Sequence, residues 1–163
     1  MKKVIIVAIK IVFYFITMIV TAFWFGVIVC KNKDKTTLKY KTYYKMMLAW
    51  MEALENGLSL ESFFKERGFY HIAVYGGKDT GRYLIRQLQD TNIEVKYIID
   101  RSMISGSFNM LSIYRPDEIL PEIDAVIVTP VWDFDQIKKQ LVNRVECPII
   151  SLEEVITGRD GHA

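Results

Sequence analysis

With 163 residues, the chain has room for one domain of ordinary size and an appendage. It is 51% hydrophobic, much of that excess lies before residue 31, and the net charge of +2 is too small to point to nucleic acid. Its two cysteines, Cys30 and Cys147, and two histidines, His71 and His162, lack the spacing of a zinc site or a disulfide framework, which sets those classes aside.

The first element is apolar. From Ile11 to Val29 runs IVFYFITMIVTAFWFGVIV, without a single charge. As a helix it would measure about 28 Å at about 1.5 Å per residue, close to the thickness of a bilayer core. Lys10 near its start can reach the interface, and Phe23, Trp24 and Phe25 suit the other boundary. A cleaved signal peptide is the competing reading, with Val20-Thr21-Ala22 as its cleavage site. The apolar run continues past that point and exceeds the usual core of about 7–15 residues, so an uncleaved single-pass anchor is expected over residues 1–30. Lys31, Lys33, Lys35, Lys39, Lys41 and Lys45 follow it, against Lys2, Lys3 and Lys10 before it, which places the C-terminal portion in the cytoplasm. The same lysines can touch anionic lipid headgroups.

Residues 31–69 read as a basic helical connector. Within TLKYKTYYKMMLAWMEALEN, Leu38, Tyr44, Met47, Leu48, Met51 and Leu54 recur at helical spacing and predict a stripe packed on the following domain. A partner or a membrane surface is the alternative for that stripe. Gly57 should end this helix, and Ser59 should cap a shorter one that Gly68 ends.

Over residues 70–157 apolar strands alternate with helical patterns, and 158–163 form a polar tail. Strands are expected at HIAVY (71–75), EVKYIID (94–100), LSIY (111–114), DAVIVTP (124–130) and CPIISL (147–152). Helices are expected at 80–90, with Tyr83, Leu84 and Leu88 inward, and at 133–144; 116–123 should be a short helical or looped crossover, and EEVITG a last turn. The fold class is therefore α/β: a small Rossmann-like, doubly wound parallel sheet of about five strands in order 3-2-1-4-5, preceded by a transmembrane helix and a helical connector.

Ligands of such sheets bind beyond the carboxyl ends of the strands, where the order reverses. The residues that leave those ends are Gly76, Gly77, Lys78, Thr80 and Gly81 after the first strand, Asp100 and Arg101 after the second, and Thr129 and Pro130 after the fourth. Gly76 suits a tight turn, Gly81 a close helix–strand approach, and the amides around Asp79 and Thr80 open a helix whose dipole favours phosphate. Asp100 follows Gly81 by 19 residues, the place of an acid that meets a ribose hydroxyl. Lys78 stands where the middle glycine of a dinucleotide loop would let pyrophosphate reach bare backbone, and Arg82-Tyr83 after Gly81 excludes a Walker A loop. A βα turn whose glycines serve geometry alone is the competing reading. No Tyr-x-x-x-Lys dyad occurs and no nucleophile has a paired histidine; Asp133 and Asp135 read as helix-capping residues, and Trp132 as an aromatic anchor of its loop.

The segments HIAVYGGKDTGRYLIRQLQD, VKYIID, DAVIVTP, IKKQL and CPIISLEEVI resemble the Rossmann-like, nucleotide- or CoA-binding-type domain of bacterial surface-polysaccharide biosynthesis proteins. In that family the domain follows membrane helices in sugar-nucleotide dehydratases and phosphoglycosyl transferases, and it is similar to the N-terminal domain of certain sialic-acid-type and bacillosamine acetyltransferases. The resemblance covers about residues 70–156, with Gly76, Gly81, Asp100 and Thr129-Pro130 on the family pattern and Lys78 off it. It implies NAD(P), a UDP-sugar or CoA as ligand, and the bilayer and other polysaccharide-biosynthesis membrane proteins as partners. It does not extend to a catalytic domain, so no chemistry is carried over. A binding or scaffolding role in cell-envelope polysaccharide assembly is expected; the alternative is a divergent nucleotide-sugar-modifying enzyme completed by a partner chain.

Overall fold

The computed structural model describes residues 2–57, 59–102 and 111–158. His162 and most of the polar tail lie outside them. The chain divides into two compact units, Met1–Thr42 and Tyr43–Ala163. Helix α1 runs over Lys2–Glu55. Among the described residues it is the one helix long and apolar enough to cross a membrane. In the first unit its large apolar side chains, Phe13, Phe15, Phe23, Trp24 and Phe25 among them, are exposed.

The second unit holds a five-stranded, all-parallel sheet. Its strands are β1 (His71–Tyr75), β2 (Glu94–Ile99), β3 (Ser112–Tyr114), β4 (Ala125–Val128) and β5 (Ile149–Ser151). Their spatial order is β3-β2-β1-β4-β5. The expected α/β class, the parallel pairing and the order 3-2-1-4-5 are all present. The central strands carry continuous apolar runs because both of their faces are covered. Ala73, Tyr75, Val126 and Val128 face one layer, where Ile137 and Leu141 of helix α4 (Phe134–Leu141) pack. Ile72, Val74, Ala125 and Ile127 face the other. There they meet helices α2 (Leu60–Glu66), α3 (Asp79–Leu88) and α5 (Leu152–Thr157).

Local chemistry fixes the element ends. Ser59 accepts the Ser62 amide at 3.3 Å and caps α2, as its position in the sequence predicts. Asp124 accepts the amides of Tyr70 and His71 at 2.8 and 2.6 Å, anchoring the start of β1. Those bonds hold the Asp124 carboxyl below its ordinary value. Residues 116–123 form turns and loop rather than helix, in keeping with Pro116 and Pro121.

Three expectations are corrected. On α3 the buried positions are Gly81, Leu84, Ile85 and Leu88: Leu84 and Leu88 face inward as expected, with Ile85 beside them, and Tyr83 is exposed. Asp133 stands at the N-cap of α4, but its side chain makes no capping hydrogen bond. On α1, Met46 and Trp50 enter the core of the second unit, with Tyr43, Met47, Ala49 and Ala53 around them. Of the expected stripe only Met47 is among these; Leu38, Tyr44, Leu48, Met51 and Leu54 are exposed. Small Ala49 and Ala53 allow a close approach on the buried arc, and the Trp50 indole N–H donates to Gln87 Oε1 at 3.2 Å.

Candidate functional site

The strand order reverses between β1 and β4, and the loops leaving β1, β2 and β4 meet at that end of the sheet. Gly76 leaves β1 with φ 92°, a backbone conformation that side chains other than glycine's adopt only with strain. Its amide donates to Ile99 O at 2.9 Å, tying the turn to the end of β2. A Cβ on Gly76 would lie 2.7 Å from Thr129 Oγ1. A Cβ on Gly81 would lie 1.9 Å from Gly76 O, a distance no relaxation of a side chain can relieve. Gly76 and Gly81 are therefore both required for the turn to close onto the first turn of α3.

Thr129 binds the same turn from β4. Its amide donates to Tyr75 O at 3.0 Å, and its hydroxyl is shared between Tyr75 O at 3.1 Å and Gly76 O at 3.0 Å. Pro130 packs its ring within reach of Gly76 and begins the 3₁₀ turn Val131–Asp133. The small-residue-plus-proline end of the fourth strand thus has a physical purpose: it clamps the glycine turn.

Asp100 is buried and points its carboxylate at the turn. Oδ2 accepts the buried Gly77 amide at 3.0 Å, while Oδ1 accepts the Ser102 amide at 2.8 Å and the Ser102 hydroxyl at 3.0 Å. The acid at the end of β2 and the glycine loop are thus one hydrogen-bonded unit. A ligand phosphate seeking the Gly77 amide would have to displace this carboxylate. Arg101 is exposed, and its guanidinium donates to Gln140 Oε1 on α4. It also lies beside the buried Tyr75, whose phenol burial pushes up while Arg101 opposes the shift. Lys78 is the N-cap of α3, exposed and without a capping side-chain bond; Thr80 is half-buried in the first helical turn.

All nine sequence-predicted positions therefore lie on the loops, or in the first turn of α3, at this one end of the sheet. Sequence reasoning missed Ser102 and Tyr75. Ser102 was signalled by the spacing Asp-x-Ser, which favours a carboxylate turned back onto the next amides. Tyr75 read only as a strand residue. A concavity of about 960 Å³ runs along the open edge of β5, lined by Arg67, Trp132, Phe134, Lys138, Ile149 and Glu153 among others.

Family models, curated proteins and solved structures were all compared with the chain, and none matches it.

Proposed function

We propose that the protein is a single-pass membrane-anchored module, with its Rossmann-like domain in the cytoplasm. The module holds a nucleotide-type ligand, such as a nucleotide sugar, a dinucleotide or CoA, for cell-envelope polysaccharide assembly and does not catalyse a reaction itself. The observation that carries ligand binding is the convergence of the Gly76–Gly81 turn, Asp100 and Thr129-Pro130 at the point where the strand order reverses. The anchor rests on the charge-free run from Ile11 to Val29, and the orientation on the lysines that follow it. The pathway rests on the family resemblance.

Asp100 narrows the grip. Its carboxylate, held on the Gly77 and Ser102 amides, occupies the Gly77 amide and repels phosphate from it, so the nucleoside end of a ligand, not its phosphates, belongs on that side of the turn. The cationic Lys78, at the opening of α3, is the group suited to phosphate.

A second reading is favoured by the concavity along β5. There an open strand edge with apolar and charged walls suits another protein of the same assembly, and the module would act as a scaffold alone. Thermal unfolding of the full chain with NAD(P), UDP-sugars and CoA separates the two. A bound ligand at 100 times its Kd should stabilise the fold by about 2.7 kcal/mol. No stabilisation by any of the three classes leaves the scaffold reading, and turnover of a UDP-sugar by the purified chain would overturn the non-catalytic one.

A further inference from the structure

Charge at the mouth of the crevice limits which nucleotide can enter it. Asp100 is buried, and three donors fix its carboxylate: the Gly77 amide on Oδ2, and the Ser102 amide and hydroxyl on Oδ1. An ionised carboxylate, which only accepts, satisfies all three. Asp133, at the N-cap of α4, is a second acid here, and the Tyr75 phenol lies in the field of both. Against them stands Arg101, whose guanidinium is bonded to Gln140 Oε1 on α4. Lys78 stands next to Asp79 at the opening of α3, so the turn itself adds no net positive charge.

We propose that the crevice selects nucleotides whose ribose carries no phosphate: NAD over NADP, dephospho-CoA over CoA, and plain uridine nucleotides over ribose-phosphorylated ones. This selectivity rests on the ligand-binding reading of the same crevice, with the nucleoside end on the Asp100 side of the turn. A phosphate monoester on that ribose brings a charge of about −1.5 to −2 at neutral pH. It would meet a carboxylate that has no room to turn away. Moving Asp100 would strip the buried Gly77 amide and both Ser102 donors of their acceptor. Burial lowers the local dielectric and strengthens the repulsion. A ribose with free hydroxyls brings no such charge.

Equilibrium titration of the full chain in detergent tests this with three pairs of ligands. They are NAD against NADP, dephospho-CoA against CoA, and UMP against uridine 3′,5′-bisphosphate. Within each pair only the ribose phosphate differs, so the ratio of the two Kd values isolates it. In any pair that binds, the member without that phosphate should bind at least about tenfold more tightly. Asp100→Asn should bring the ratio below about threefold, while Ser102→Ala, which keeps the charge, should preserve most of it. The ratio in the unmodified chain decides the matter even where Asp100→Asn does not fold. Equal affinity within a pair, or tighter binding of NADP, CoA or the bisphosphate, would overturn the selectivity and leave ligand binding standing. Failure of all six to bind would overturn the ligand-binding reading, and the selectivity with it.

Discussion

At the scale of single residues, the turn after β1 is held by contacts that leave no slack. Gly81→Ala would set a Cβ 1.9 Å from the Gly76 carbonyl oxygen, so the turn or the start of α3 must move. Overpacking of this kind costs about 1–3 kcal/mol or more, and here the obstacle is backbone. Urea unfolding of the full chain in detergent should show Gly81→Ala destabilised by at least about 2 kcal/mol, with the Asp100–Gly77 bond disrupted. The glycines were legible in the sequence because only their backbone mattered. The partners of Asp100 were not, since a strand-end acid looks the same whether it faces a ribose or the chain's own amides.

Tyr97 shows the same scale acting on pH. Its hydroxyl donates to Pro121 O at 2.8 Å, and burial, reinforced by Cys147 and Tyr114, raises its pKa from 10.0 to about 12. A raised folded-state value means that the neutral phenol favours the fold. The contribution is complete below pH 10.0, the unfolded value, and fades as pH rises through about 12. Absorbance titration should therefore show a step near pH 12 that Tyr97→Phe removes.

At the scale of elements, the strands read clearly and the buried face of α1 did not. The runs IAVY, YII and AVIV are apolar throughout because a central parallel strand is buried on both sides, a pattern that no polar face complicates. The stretch of α1 after Tyr43 is apolar over more than half of its circumference, so periodicity could not say which arc turns inward. The buried arc is the one with small Ala49 and Ala53 beside Trp50, where close approach and a partner for the indole N–H come together. Trp50→Ala should cost about 3–5 kcal/mol in thermal or urea unfolding, and Leu48→Ala on the exposed arc no more than about 0.5 kcal/mol. A larger cost for Leu48→Ala than for Trp50→Ala would mean that α1 packs on the opposite face.

At the scale of the whole molecule, an apolar helix long enough to cross a bilayer and a five-stranded parallel sheet belong to one short chain. Composition alone separated the two, because the charge-free run and the alternating α/β pattern occupy different stretches. The ligand was not legible in the same way. A glycine turn clamped by Thr129 and an acid at the next strand end are requirements of the fold as well as of a binding site, so residue types alone support both uses.

Hydrogen–deuterium exchange of the full chain in bilayer discs tests the binding claim most directly, with NAD(P), a UDP-sugar and CoA each added at millimolar concentration. The account predicts that one of the three slows exchange across Gly76–Gly81 and at Arg101 and Ser102, with β5 unchanged. Unchanged exchange at that end of the sheet with all three would contradict it.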